Sequence, residues 1–316
     1  MAMIWGGVAI GLVILLLAGD ALVKGAVNLS LRVGIPALIV SLTIVAFGTS
    51  APELLISINA ALDDAPGIAL GNVVGSNTAN ILLVLGVPAL LAVMHTSQCN
   101  TRKSYVIMLA GSVLFIALAF RGIFDWIAGI VLLLVLAVIL ADAIREGLAH
   151  RKAGQEEEEE DPEGADPNMP WWKIILFLTL GLVGLPLGAD LLVDSSVQLA
   201  KIFGVSDTVI GLTLVALGTS LPELATTVMA ALRRQADVAL GNVIGSNMFN
   251  LLAIIGVASL IAPIPVDPEF LEFDLWVMLG ASLLIFPLVF LGRDLTKIWG
   301  VVLSALYLGY IALVII

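Results

Sequence analysis

Long apolar runs recur along the whole chain and are separated by short polar connections. About 20 consecutive apolar residues can cross the hydrocarbon core of a bilayer as a helix, and these runs reach or approach that length. The first and sixth runs can continue as longer tilted helices through Arg32 and Phe203. The pattern predicts about ten transmembrane helices, near residues 4–24, 35–62, 69–93, 104–120, 126–144, 171–193, 206–231, 238–262, 273–291 and 298–316.

Composition supports the same class of protein. Hydrophobic residues make up 60% of the 316 residues and charged residues 12%, whereas a soluble domain is roughly one quarter charged. A transmembrane β-barrel needs short segments of alternating polarity, and these runs are continuous. No basic segment precedes the first run, so we interpret it as a retained span and not as a signal peptide. The sequence therefore predicts an all-α polytopic membrane protein.

Basic residues are concentrated on alternate connections between the predicted spans. One set of connections holds twelve Lys and Arg residues, and the other set holds only Arg121 and Lys201. Because basic loops tend to stay in the cytoplasm, we expect a cytoplasmic central loop and, with an even number of spans, both termini outside. The expected location is the plasma (inner) membrane. The central loop, residues 150–169, carries the acidic run from Glu156 to Asp161, which we interpret as a disordered, solvated stretch.

The two parts of the chain on either side of this loop, residues 1–149 and 170–316, repeat each other. SLTIVAFGTSAPE (41–53) matches GLTLVALGTSLPE (211–223) at nine of thirteen positions, and ALGNVVGSNTAN (69–80) matches ALGNVIGSNMFN (239–250) at nine of twelve. Both matches have the same offset of 170 residues. Five predicted spans separate the copies, so the second copy crosses in the opposite direction. The sequence predicts two inverted five-helix repeats, an arrangement in which transporters place their binding site near the midplane.

Glu53 and Glu223 occupy matched positions inside two of the apolar segments. An intramembrane carboxylate costs several kcal/mol unless it is paired, hydrated or bound to a cation. No basic residue lies within either segment, so a shared cation site is the favoured interpretation. A protonated glutamate bonded to a neighbouring helix is the alternative. Pro52 and Pro222 precede the two acids and are expected to loosen the preceding turn and to free main-chain oxygens there, although a simple packing kink is also possible.

Hydroxyl and amide side chains share helix faces with these features. Thr49 is four residues before Glu53, and Ser76 is four residues before Asn80. The same spacings recur in the second copy, in Thr219 with Glu223 and Ser246 with Asn250. On their own, such groups more often form hydrogen bonds between helices. Beside two carboxylates they complete an all-oxygen set of ligands, which suits hard cations such as calcium and sodium.

The Gly-Thr-Ser-x-Pro-Glu and Gly-Ser-Asn-x-x-Asn segments resemble the two alpha repeats of the cation/calcium antiporter superfamily, in its sodium/calcium exchanger branch of prokaryotic type. The resemblance covers nearly the whole chain and implies a calcium site on Glu53 and Glu223 with the carbonyls of Thr49 and Thr219. It implies sodium sites that add Ala46, Ser50, Ser76, Ala216, Ser220 and Ser246, with Asn80 and Asn250 at the centre. Some relatives carry an acid at one of the last two positions, whereas this chain has amides at both.

The expected function is a secondary active antiporter that exchanges sodium for calcium by alternating access. A proton/calcium antiporter is the first alternative, and a passive cation channel is the second. The expected partners are calcium, sodium and the lipid bilayer. We expect no enzymatic activity, cofactor or nucleic-acid partner, and no nucleotide-binding motif suggests ATP-driven pumping. No protein partner can be inferred.

Overall fold

The computed structural model describes residues 1–63, 65–153, 166–204 and 216–315. The acidic run from Glu156 to Asp161 and the segment 211–215 of the second copy lie outside these ranges. The described residues are overwhelmingly helical, as the apolar pattern predicts. Their helices are α1 (Ala2–Val33), α2 (Ala37–Thr49), α3 (Ala51–Leu62), α4 (Pro66–Leu91), α5 (Arg102–Ala119), α6 (Trp126–Ala153), α7 (Trp171–Ile202), α8 (Leu221–Leu232), α9 (Ala236–Ile261), α10 (Phe270–Phe290) and α11 (Lys297–Ile315).

Eight of the described helices are long and apolar enough to cross a membrane, and the bent pair α2 and α3 makes a ninth. The predicted seventh span, residues 206–231, is described only as a short turn, Ala216–Gly218, followed by the twelve-residue α8. Helices α1 and α7 continue to Val33 and Ile202, close to the ends at Arg32 and Phe203 that the sequence allowed for the first and sixth runs. Helix α6 continues to Ala153, so the first residues of the predicted central loop are helical.

Helices α4 and α9 lie at the centre of the molecule. In each of them 78% of the most apolar stretch is buried, compared with 17% in α11. These two helices carry the repeated Gly-Asn-x-x-Gly-Ser-Asn-x-x-Asn motif. Each contains a π-helical turn at the end of that motif, Asn80–Val84 in α4 and Phe249–Ile254 in α9. Such turns interrupt regular helix bonding and are frequent at functional sites.

Helices α1 and α7 pack along each other through small residues. An added Cβ at Gly11 would stand 2.7 Å from the main-chain nitrogen of Leu192, and one at Gly188 would stand 2.9 Å from that of Leu15. Small residues allow helix backbones to approach closely where no hydrophobic effect drives them together. This glycine contact forms a long paired unit beside the central helices.

Two short antiparallel contacts connect loops of one half to loops of the other. Strand β1 (Ile123–Phe124) pairs with strand β2 (Ile264–Pro265). An isolated bridge joins Met94 to Leu295 through two main-chain hydrogen bonds. The second contact is extended by side chains, because His95 and the main-chain nitrogen of Ser97 both bond the carboxylate of Asp294. The two halves are thus held together at loops as well as through their helices.

Candidate cation-binding site

The two glutamates lie just after a break between helices. Helix α2 ends at Thr49 and α3 begins at Ala51, with a 45° bend between them. Ser50 at the break has φ −85° and ψ 7°, and Ser220, before α8, has φ −85° and ψ 2°. Proline suits the first turn of a helix, where its missing N–H has no helical partner. Pro52 and Pro222 therefore begin new helices here, in place of the loosened turn that we expected from the sequence.

One main-chain oxygen that was expected to be free of hydrogen bonds is bonded in the structure. The carbonyl oxygen of Ala46 was expected to be freed by the proline, but it accepts hydrogen bonds from the Ser50 nitrogen at 3.0 Å and the Thr49 hydroxyl at 3.3 Å. It remains bonded because α2 continues to Thr49 before the chain bends. In the second copy the Ser220 nitrogen bonds Leu217 instead, at 3.1 Å. The two copies therefore present their main-chain oxygens differently.

Glycines on α9 bring the two halves together at the break. A Cβ at Gly245 would stand 2.6 Å from the Ala46 Cβ and from the Leu42 carbonyl oxygen, and one at Gly241 would stand 2.8 Å from the Ser41 Cβ. Only glycine permits this approach. The Ser41 hydroxyl fastens the same contact by donating to the Val238 carbonyl at 2.7 Å. Helix α2 thus lies directly on α9.

Hydrogen bonds across this contact connect first-half residues to Glu223. The Ser50 hydroxyl donates to Glu223 Oε1 at 3.0 Å, and the Ser246 hydroxyl donates to the same oxygen at 3.4 Å. The Thr49 hydroxyl lies 3.2 Å from Asn242 Oδ1 and 3.5 Å from the Ser246 hydroxyl. Since Ser50 is three residues before Glu53 and its hydroxyl bonds Glu223, both acids lie in one small region.

Nearly all the predicted site residues are buried. Glu53 is 1% exposed and Glu223 is fully buried. The other buried members of the predicted set are Ala46, Thr49, Ser50, Ser76, Asn80, Ser220, Ser246 and Asn250. Thr219 is half-buried, and Ala216 is placed by its main chain in the short turn before the second break. Both oxygens of Glu53, Oε2 of Glu223 and the Ser220 hydroxyl have no hydrogen-bond partner within the described ranges.

The donor set suits a hard cation. Neither carboxylate is paired with a basic side chain in the part of the chain that the structure describes, since the partners of Glu223 are two serine hydroxyls. Over the same ranges, no group of three His, Cys, Asp or Glu residues could hold a metal ion. The arrangement is two carboxylates surrounded by neutral oxygens, which matches calcium and sodium better than zinc or copper.

Asn72 and Asn242 lie within the repeated motif, but they were not among the predicted site residues. The Asn72 amide donates to the main-chain oxygen of Glu53 at 3.1 Å and to the Ser57 hydroxyl at 2.9 Å. The Asn242 amide makes the matching bonds to Glu223, at 3.3 Å, and to Thr227, at 3.2 Å. Each asparagine therefore clamps the first turn of a glutamate-bearing helix. The 170-residue offset was the signal that could have identified them.

Comparison with known proteins agrees with this fold. The family model described as "Sodium/calcium exchanger protein" matches residues 3–144 and 173–316. The sodium/calcium exchanger MaX1 of Methanosarcina acetivorans is 34% identical over 96% of this chain and 95% of that protein. The inner membrane protein YrbG of Escherichia coli K12 is 36% identical over 87% of this chain and 85% of its own length.

Solved structures of the sodium-calcium exchanger NCX_Mj are also similar to this one. For the crystal soaked with 2.5 mM Na+ and 0.1 mM Ca2+, the TM-score is 0.83 at 31% identity, with 98% of both chains covered. The fold and these matches define a helical membrane protein of the exchanger class. The chain belongs to the sodium/calcium exchanger protein family.

The clamp on α8 gives a direct test. Thr227→Val removes the hydroxyl that accepts from Asn242, whereas Thr227→Ser retains a hydroxyl at the same position. Losing one hydrogen bond between helices costs about 1 kcal/mol in a membrane protein. We expect the valine variant to unfold at a lower temperature in detergent than the serine variant, measured by light scattering or intrinsic fluorescence. Equal unfolding midpoints would show that the clamp does not hold α8.

Proposed function

We propose that this chain exchanges sodium for calcium across a membrane, with calcium held between Glu53 and Glu223. One observation carries the proposal. In a member of the exchanger family, two buried carboxylates at matched positions meet among neutral oxygens, and neither has a basic partner in the described ranges. A buried charge of this kind needs a counterion. A divalent cation between the two acids balances both charges.

The neutral oxygens supply places for sodium. One cluster lies beside Glu223, where the hydroxyls of Ser50 and Ser246 share one carboxylate oxygen, and it adds the carbonyl of Ala46. The positions 170 residues away supply the other cluster beside Glu53: the hydroxyls of Ser220 and Ser76 with the carbonyl of Ala216. Thr49 and Thr219 add carbonyls beside the acids, and Asn80 and Asn250 add amide oxygens at the centre. Because calcium and sodium share ligands, they compete for the site, and sodium moving down its gradient drives calcium the other way.

The repeat suggests how the site is reached from both sides. Positions 170 residues apart supply equivalent elements: a serine at each break, a clamped glutamate and a π-helical turn near the motif's last asparagine. We infer two inverted five-helix repeats with ten spans in all. Transporters built in this way alternate access by moving one group of helices against the other around a fixed site.

Loop contacts support the predicted sides of the membrane. Strands β1 and β2 join two connections that were both predicted outside, and the bridge from Met94 to Leu295 joins two that were both predicted inside. Asp20, near the inner end of the predicted first span (4–24), pairs with Lys24 and with Arg233 on a connection predicted to be inside. These contacts support the predicted grouping of the loops, and the basic bias assigns the Met94 and Leu295 side to the cytoplasm.

This topology has a simple test. We expect a reporter inserted into the loop 150–169 to be cytoplasmic and one fused after Ile316 to be outside, because twelve of the fourteen basic residues lie on the connections of the central-loop side. Paired alkaline phosphatase and fluorescent-protein fusions measure both positions. Two reporters on the same side would contradict five spans between the central loop and Ile316. Both reporters on exchanged sides would contradict the orientation alone.

The two acids can be tested by charge removal. Glu53→Gln and Glu223→Gln each keep side-chain size but remove one of the two charges that balance the divalent ion in a region of low dielectric. We expect each variant to lose sodium-driven calcium uptake in proteoliposomes, while Glu272→Gln, at an exposed position outside the site, keeps it. Near-normal calcium transport in either site variant would eliminate the proposed site.

The same proteoliposomes distinguish the alternatives. A proton-coupled antiporter would take up calcium under a pH gradient without sodium. A passive channel would pass calcium with no ion on the other side to exchange for it. The hydroxyl-rich clusters at both breaks favour sodium, because a proton needs no cage of neutral oxygens.

Charge balance predicts that exchange is electrogenic. Two carboxylates neutralise one calcium ion or two sodium ions. The repeats offer a third place for sodium, the centre between the acids, in addition to the two oxygen clusters. Asn80 and Asn250 add no negative charge there. If all clusters fill, the sodium-loaded site carries net positive charge. Each net charge that crosses gains about 2.3 kcal/mol per 100 mV, so an inside-negative potential should accelerate sodium entry. Calcium flux at potentials set with potassium and valinomycin measures this. Flux that does not respond to the potential would mean electroneutral exchange.

A further inference from the structure

Three side-chain hydrogen bonds between the two halves at the site run in the same direction. The Ser50 hydroxyl donates to Glu223 at 3.0 Å, and the Asn80 amide donates to Asn247 Oδ1 at 3.1 Å. The Thr49 hydroxyl likewise donates to Asn242, at 3.2 Å. In every case the donor belongs to the first half and the acceptor to the second.

The mirror images of two of these bonds are missing, although their atoms are buried. Shifting each residue by 170 positions pairs the Ser220 hydroxyl with Glu53, and the Asn250 amide with Asn77 Oδ1. Among the described residues, the Ser220 hydroxyl, both Glu53 oxygens, both polar atoms of Asn250 and Asn77 Oδ1 have no hydrogen-bond partner. All four residues are at most 1% exposed. Buried polar groups without partners are costly, so such a set needs an explanation.

Asn77 and Asn247 explain how the amides are oriented. The Asn77 amide nitrogen donates to the main-chain oxygen of Asn247 at 3.2 Å, and the Asn247 amide nitrogen donates to that of Asn77 at 3.4 Å. Because both nitrogens are engaged in this reciprocal pair, each asparagine presents Oδ1 as an acceptor. Asn247 Oδ1 receives Asn80, while Asn77 Oδ1 is left without its mirror donor, Asn250.

The bond to Asn247 determines which end of Asn80 is available to an ion. An amide can ligate a cation only through its oxygen. With its nitrogen held by Asn247, Asn80 offers Oδ1, which is buried and has no partner in the described ranges. Neither polar atom of Asn250 has a hydrogen-bond partner among the described residues, so its oxygen is not oriented. The site therefore has one amide oxygen that is oriented, on Asn80, and one that is not, on Asn250.

We propose that Asn77 and Asn247 are positioning residues that act alternately. Asn247 orients Asn80 in the access state seen here, and Asn77 orients Asn250 in the opposite state. The bond from Ser50 to Glu223 exchanges with one from Ser220 to Glu53 in the same transition. This proposal rests on the proposed exchange function and on the inverted repeat, because two related states give each missing bond its turn and also give a donor to Asn77 Oδ1, which lies outside the proposed ligand set.

The test compares Asn77→Ala with Asn247→Ala on the two faces of the membrane. Half-saturating calcium is measured for sodium-dependent flux in right-side-out and inside-out vesicles of the full chain. We expect Asn247→Ala to raise it at one face by roughly three- to tenfold, the equivalent of one net hydrogen bond, with a smaller change at the other face. Asn77→Ala should do the same at the opposite face.

Thr78→Val is the matched control. Thr78 lies between the paired asparagine and the ligand amide on the same helix, is fully buried, and bonds only the Val74 carbonyl of its own helix in the described structure. Half-saturating calcium should stay unchanged at both faces in this variant. A purely structural role of the asparagines would lower protein yield or maximal rate without a face-specific shift.

Several outcomes would overturn the proposal. Shifts at the same face in both variants, equal shifts at both faces, or no shift would each contradict alternation. If the alanine variants do not fold, Asn77→Ser and Asn247→Ser, which keep a small polar group, are measured in the same way and must show the same opposite shifts. Measurements on wild-type vesicles distinguish a failure of the proposed function from a failure of the alternation. Absence of sodium-driven calcium flux there would refute the proposed function, whereas normal wild-type flux with symmetric shifts would refute only the alternation.

Discussion

Burial takes two carboxyl groups at the centre of an apolar molecule out of water, and the surrounding structure is arranged around that cost. Glu53 and Glu223 are buried, yet the described hydrogen bonds satisfy only one of their four oxygens. A protein that only needed to be stable would pair such groups with basic side chains or replace them with apolar ones. In the proposed function the stabilising charge comes from a bound cation. The proposed transport therefore depends on these unsatisfied oxygens.

Backbone geometry and amide side chains hold the two acids in place without neutralising them. The serine at each break redirects the chain so that a glutamate begins a new helix, and an asparagine then fixes the first turn of that helix. Gly241 and Gly245 bring the opposing helix within reach of Thr49 and Ser50. None of these groups carries charge, so they orient the carboxylates without competing with the ion.

The sequence predicted the class of fold well, because it depends on local patterns, and most of the residues predicted for the site are buried. Apolar runs of membrane-spanning length stand out in the chain, and two motifs 170 residues apart identify the acids. The helix break at Ser50 was harder to predict, because a proline inside an apolar run can kink a helix or begin one. Partners across the interface could not be predicted at all. The bond from Ser50 to Glu223 depends on how α2 rests on α9, which is a property of packed helices and not of spacing along one of them.

The amides at Asn80 and Asn250 connect the charge of the site to its symmetry. An aspartate at either position would add a third negative charge, and its oxygens could only accept hydrogen bonds at neutral pH. Asn80 instead donates to Asn247 and still offers an oxygen, so one side chain can be oriented by the opposite half and remain available as a ligand. The carboxylate of an acid at position 80 would face Asn247 Oδ1. Because both groups are hydrogen-bond acceptors, the orienting bond would be lost. The same choice of residue therefore keeps the central charge at two and allows each half to orient the ligand of the other.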